Sequence, residues 1–99
     1  MTESPVLLHV WDVEPGRQDL AVKQLETMLD EVSTDPAFVS ARVLENADGS
    51  SIAIVLEMQT VEDRRRLEGL PVVRQTLDHL DGTVNLLITL YHQVGVYPT

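Results

Sequence analysis

The sequence predicts an α+β subunit built on one four-stranded antiparallel sheet, with its helices gathered on a single face. Three observations predict it. Apolar runs of strand length recur at Val6–Val13, Ser51–Met58 and Thr83–Tyr91. Between the first two, apolar residues switch to a helical period over about Arg17–Val32. A hairpin loop, Asn46-Ala47-Asp48-Gly49-Ser50, joins two strands that should pair antiparallel.

The first strand, about Val6–Val13, holds the only Trp and one of the three His. Alternation puts Leu7, His9, Trp11 and Val13 on one face and Val6, Leu8, Val10 and Asp12 on the other. Both faces are mainly apolar, so both should be covered. Pro15-Gly16 turns the chain into the first helix, whose stripe is Ala21, Leu25, Met28, Leu29 and Val32. Ser33-Thr34-Asp35-Pro36 stops it, because Pro cannot continue the hydrogen-bond ladder and forces the preceding residue out of the helical region.

Phe38–Glu45 reads as the second strand and Ser51–Met58 as the third, with Gly49 free to take positive φ between them. Ile52, Ile54, Leu56 and Met58 share a face. Thr60-Val61-Glu62-Asp63 resembles a capping box with Asp where Glu or Gln is usual. The helix it opens runs to about Glu68 and is interrupted by Gly69-Leu70-Pro71. A further segment, Pro71–Leu80, carries Val73, Leu77 and Leu80 inward, and Asp81-Gly82 ends it with Gly82 at C′. Thr83–Tyr91 is the last long strand. The tail, His92–Tyr97, either extends it past a bulge at Gly95 or crosses to a partner subunit.

The order β-α-β-β-α-β is the ferredoxin-like arrangement, in one domain spanning residues 1–99. Its helix-free sheet face is apolar: Val6, Leu8, Val10, Ala53 and Val55, with either Leu87 and Thr89 or Leu86 and Ile88. Such a face should be buried by a second copy, which predicts a homodimer with the sheets face to face.

Composition narrows the function. A net charge of −9, from 16 acids against 7 Lys and Arg, argues against nucleic acid and anionic membranes as partners and serves solubility. With no Cys, disulfides, thiolate catalysis and zinc–thiolate sites are excluded. Met1-Thr2-Glu3-Ser4-Pro5 lacks the charged and apolar regions of a signal peptide, and no apolar run reaches membrane-spanning length, so a cytoplasmic protein is expected.

Of the three His, His9 carries the most interest. Flanked by Leu8 and Val10, it is either a buried, hydrogen-bonded core residue or a pocket group that orients or deprotonates a substrate. His79 complements a helix C-terminus, and His92 ends the last strand beside Tyr91. The three make no metal-ligand spacing, so no metal site is expected. Trp11 shares a face with His9 and is either core or a flat wall for an aromatic ligand; Met58 could line the same space. Arg64-Arg65-Arg66 reads as a solvated face paired through Glu62 with Arg66 and Arg64 with Glu68. No phosphate-binding loop, dinucleotide fingerprint or serine-nucleophile motif occurs.

Taken together, the opening strand ending in Val13-Glu14-Pro15-Gly16, the long helix, Asp35-Pro36-Ala37-Phe38-Val39-Ser40, the Asp48-Gly49 hairpin, the Thr60-capped helix and the long last strand resemble the antibiotic biosynthesis monooxygenase family over about Val6–Tyr97. The resemblance implies a ferredoxin-like subunit forming a dimeric α+β barrel, with a cavity between sheet and helices. Some members of that family oxidise aromatic polyketides without any cofactor, others degrade haem, and others have no assigned activity. The oxidation needs no flavin or metal because the substrate's own carbanion reduces O₂. Such a member has to bind a flat phenol or anthrone, assist its deprotonation and stabilise the developing charge.

Oxygenating members carry Asn where this chain has His9, and Trp on or near the place of Met58. Haem-degrading members carry an iron-ligating His at about Leu77; His79 lies two residues on, about 200° around the helix, so haem chemistry is not expected. The resemblance therefore implies His9 as base or orienting group and a small aromatic substrate held among Trp11, Met58, Leu56 and Leu77, with no cofactor. The alternative is a non-catalytic protein that binds a small aromatic or assists a biosynthetic enzyme; a filled, purely structural dimer is the third reading.

Overall fold

The computed structural model describes residues 5–78, 80 and 83–98. Its elements run β1 (Pro5–Val13), α1 (Gln18–Val32), β2 (Phe38–Glu45), β3 (Ser51–Met58), α2 (Val61–Glu68), α3 (Pro71–Asp78) and β4 (Thr83–His92). The strands form one antiparallel sheet in the order β2-β3-β1-β4, the topology that the element order predicts.

Burial alternates along β1 as expected. Leu7, His9, Trp11 and Val13 are buried on the helix side, while Val6, Leu8 and Val10 are only half covered. Antiparallel partners share a face, so Leu7 opposite Leu56, His9 opposite Ile54 and Trp11 opposite Ile52 extend the buried layer onto β3. Phe38, Ala41 and Val43 continue it onto β2. α1 lays Ala21, Leu25, Met28, Leu29 and Val32 on this surface, and Leu67, Val73 and Leu80 complete the core. Leu25, Ile52 and Met58 are its fully enclosed large side chains, each contributing roughly 2 kcal/mol of apolar burial.

The loops follow local chemistry. Gly16 and Gly49 both take positive φ, at 83° and 74°, which L side chains rarely adopt. Thr60 caps α2: its Oγ1 accepts from the Asp63 N–H at 3.1 Å and donates to the Asp63 carboxylate at 2.8 Å. Asp63 thus binds the capping hydroxyl itself. Arg64 pairs with Glu68 as the helical spacing predicts, at 3.0 Å. Arg66 does not take Glu62 as its partner but reaches Asp35 and Asp63. α3 is described over Pro71–Asp78, and Leu80, expected as its last residue, is not helical. Met1–Ser4, His79, Asp81-Gly82 and Thr99 lie outside the described residues, and with them the readings of the N-terminus, of the helix-dipole His and of the C′ glycine.

β4 ends at His92, and residues 93–98 form no strand, so Gly95 carries no bulge. The sheet's irregularities fall instead between Val10 and Trp11 and between Phe38 and Ser40. The register also settles which β4 residues join the outer face: Leu87 lies opposite Val10 and Thr89 opposite Leu8. Leu44, Leu87 and Tyr91 are 49%, 41% and 50% exposed on that face, which no helix or strand among the described residues covers.

Candidate functional site

The irregularity in β4 builds the most distinctive site of the molecule. From Pro5–His92 to Val10–Leu87 the two strands pair residue for residue, and then Trp11 pairs with Asn85. Leu86 is the extra residue. A regular ladder would set Leu86 against Trp11 and Asn85 against Asp12, on the outer face. The bulge turns Asn85 to the helix side instead. There Asn85 Oδ1 lies 2.8 Å from His9 Nε2.

His9 is only 6% exposed. Its ring stacks on Trp11, with centroids 3.6 Å apart and planes 22° from parallel. Burial pushes the imidazole below its ordinary pKa of 6.5, opposed by the Asn85 hydrogen bond and by the charge of Glu68 on α2. The neutral ring therefore predominates at pH 7. An amide oxygen in this place accepts from the ring when the imidazole proton sits on Nε2, the tautomer that leaves a lone pair on Nδ1.

One side of this pair is open. β4 packs on β1 and makes at most marginal contact with the helices. Ile88, directly opposite His9 on the same face, is consequently 51% exposed, and Asn85 is exposed beside it. A buried imidazole, an accessible amide and an accessible apolar side chain thus meet on a shelf at the edge of the helix layer. The accessible part of the arrangement offers an amide that can hydrogen-bond and an apolar surface that can support a flat molecule, with the buried imidazole directly behind them.

The structure brings His9 and Trp11 together, with Leu56 half-buried across from Leu7 on the same face. Met58 lies elsewhere. It pairs with Phe38, six positions along β3 from Ile52, the partner of Trp11, and that spacing is roughly 20 Å. Leu77, on α3, is half-buried against the core. Cavities of about 600, 730 and 620 Å³ lie among the helices and at the loop end of the sheet. Another of about 470 Å³ lies on the outer face, at Leu8, Arg42, Val55 and Tyr91. None of these four is lined by His9, Trp11, Leu56, Met58 or Leu77. Among the described residues no group of three or more His, Asp or Glu is placed to hold a metal ion.

Asn85 is the residue that periodicity misses. Its signal is a lone amide side chain inside the apolar run Thr83–Tyr91, but strand alternation cannot say which way it points once a residue is inserted.

No family model and no curated protein sequence matches the chain. Solved structures do match it. SnoaB, a cofactor-independent oxygenase from Streptomyces nogalater, superposes with a TM-score of 0.86 at 14% identity, covering 99% of this chain and 100% of that one. A protein from Deinococcus radiodurans named as a candidate antibiotic biosynthesis monooxygenase gives 0.82 at 15% identity, covering 93% and 94%. One so named from Chloroflexus aurantiacus gives 0.77 at 18% identity, covering 95% and 96%. At these identities the likeness is one of fold: the chain has the fold of the antibiotic biosynthesis monooxygenases.

Proposed function

We propose that this chain is a cofactor-independent monooxygenase that oxidises a polycyclic aromatic small molecule of polyketide type at the shelf beside His9, and that it works as a homodimer. The observation that carries the reading is the neutral His9, oriented by Asn85 and backed by Trp11, in a fold shared with a cofactor-independent oxygenase. His9 takes a proton from an anthrone or phenol, and the resulting carbanion reduces O₂. One oxygen atom becomes the new carbonyl and the other leaves as water, so no outside reductant is needed. The imidazolium formed is the unfavourable species in a buried site, and the negative field of Glu68 offsets part of that cost.

The test is O₂ uptake with an anthrone. Turnover by the wild type that falls about 10²–10⁴-fold in a folded His9→Ala variant supports the base. Unchanged turnover in that variant removes His9 from the chemistry. The second reading is a non-catalytic protein for small aromatics, favoured by the absence of His9 from the linings of the four cavities described above. Thermal-shift binding of aromatic metabolites without O₂ consumption would select it.

A further inference from the structure

We propose that Asn85 is a positioning residue for His9: its amide oxygen fixes the tautomer with the proton on Nε2, and its NH₂ group is the donor offered to a ligand oxygen. The second half rests on the reading of the shelf as a ligand site; the first half does not.

The geometry leaves His9 little choice. The ring is held flat against Trp11 and is buried, so it cannot swing to another acceptor without losing the stack. At 2.8 Å an imidazole nitrogen facing an amide oxygen must carry the proton, since two acceptors at that distance repel. The bond fixes the amide in return. With Oδ1 committed to His9, Nδ2 diverges from it and makes no hydrogen bond to any described residue, on a side chain that is exposed. Ile88 supplies accessible apolar surface alongside. The ligand that fits this pair is a flat molecule with a keto or phenolate oxygen at its rim. The oxygen accepts from Asn85 Nδ2 while an acidic C–H or O–H nearby is presented to the Nδ1 lone pair of His9, the ring nitrogen that this tautomer leaves as the base. The bulge at Leu86 is the device that makes the pair possible, because it alone carries Asn85 to the face of His9.

The experiment is long-range proton–nitrogen correlation NMR of the ¹⁵N-labelled full chain at neutral pH. The wild type should show His9 Nε2 at the protonated shift and Nδ1 at the unprotonated one. Asn85→Leu should speed exchange of the ring N–H with water at least about tenfold. Asn85→Asp should keep the tautomer and raise the His9 titration midpoint by about one unit, as a carboxylate acceptor favours the charged ring. Among the described residues Glu68 is the charged group whose field reaches the ring, and it is constant across the series. A wild-type proton on Nδ1, or His9 signals indifferent to both variants, overturns the positioning role. Adding an anthrone without oxygen should shift the Asn85 NH₂ resonances; signals that stay fixed while other shelf residues respond overturn the donor role. The expected tautomer without any O₂ turnover would sink the oxygenase reading and leave the positioning intact.

Discussion

Arg66 grips Asp35 with both terminal guanidinium nitrogens, at 2.6 and 2.8 Å, and so ties the α1–β2 connection to α2. The same arginine also reaches Asp63 at 3.4 Å. Asp35 in addition accepts the Ala37 N–H at 2.9 Å, so one carboxylate organises the turn and the helix contact together. This pairing holds its carboxyl down at about 2, against an ordinary 3.8. A depressed carboxylate stabilises the fold above its unfolded value and loses that contribution as pH falls through the folded one. Arg66→Ala should therefore lower the melting temperature at neutral pH, with the gap to the wild type closing between about 4 and 2. High salt should narrow the gap as well, because the pair is near the surface. Thermal melts across pH check both.

His9 gives the second pH signature. Burial lowers its folded pKa below the unfolded 6.5, so the unfolded chain binds more protons in that window. Stability should be full above 6.5 and fall as pH drops below it toward the folded value. A His9→Gln variant lacks the titrating group and should lose this slope while keeping the Asp35 signature at lower pH. Urea unfolding at a series of pH values separates the two.

These two sites mark the boundary of what could be read from residue order. The faces of β1 were legible because alternation with period two is a local property, and so were the stripe of α1 and the hairpin at Gly49. The partner of Arg66 was not, since Asp35 is brought to it by packing rather than by helical spacing. Nor was the separation of Met58 from Trp11: both face the helices, but where they lie along the sheet depends on the strand register. Asn85 was hidden most deeply, because one inserted residue reverses the face of everything beyond it.

The core should respond in proportion to enclosure. Met58 is 0% exposed, and Met58→Ala should cost about 2–5 kcal/mol through lost burial and the cavity left behind. Leu77 is only half-buried, and Leu77→Ala should cost distinctly less. Denaturant midpoints at constant slope measure both. If Met58 instead proved as tolerant as Leu77, the enclosed packing at the Phe38 end of the sheet would be wrong.

The outer sheet face yields the last prediction. Val6, Leu8, Val10, Ala53 and Val55 stand half-covered in its centre, ringed by Leu44, Leu87 and Tyr91 at about half exposure. A stable pair of such faces buries roughly 800 Å² on each partner. Leu87 lies opposite Val10, against the middle of this surface. Leu87→Asp would set a desolvated charge there on every copy, in a chain already carrying −9, so burial cost and mutual repulsion act together. Light scattering should give a mass of two chains for the wild type and one for the variant. His9 and Asn85 occupy the opposite side of the sheet, so their NMR signature should survive in the monomer. A wild type that is already monomeric at high concentration would rule out the homodimer, and would leave the apolar face to a different partner.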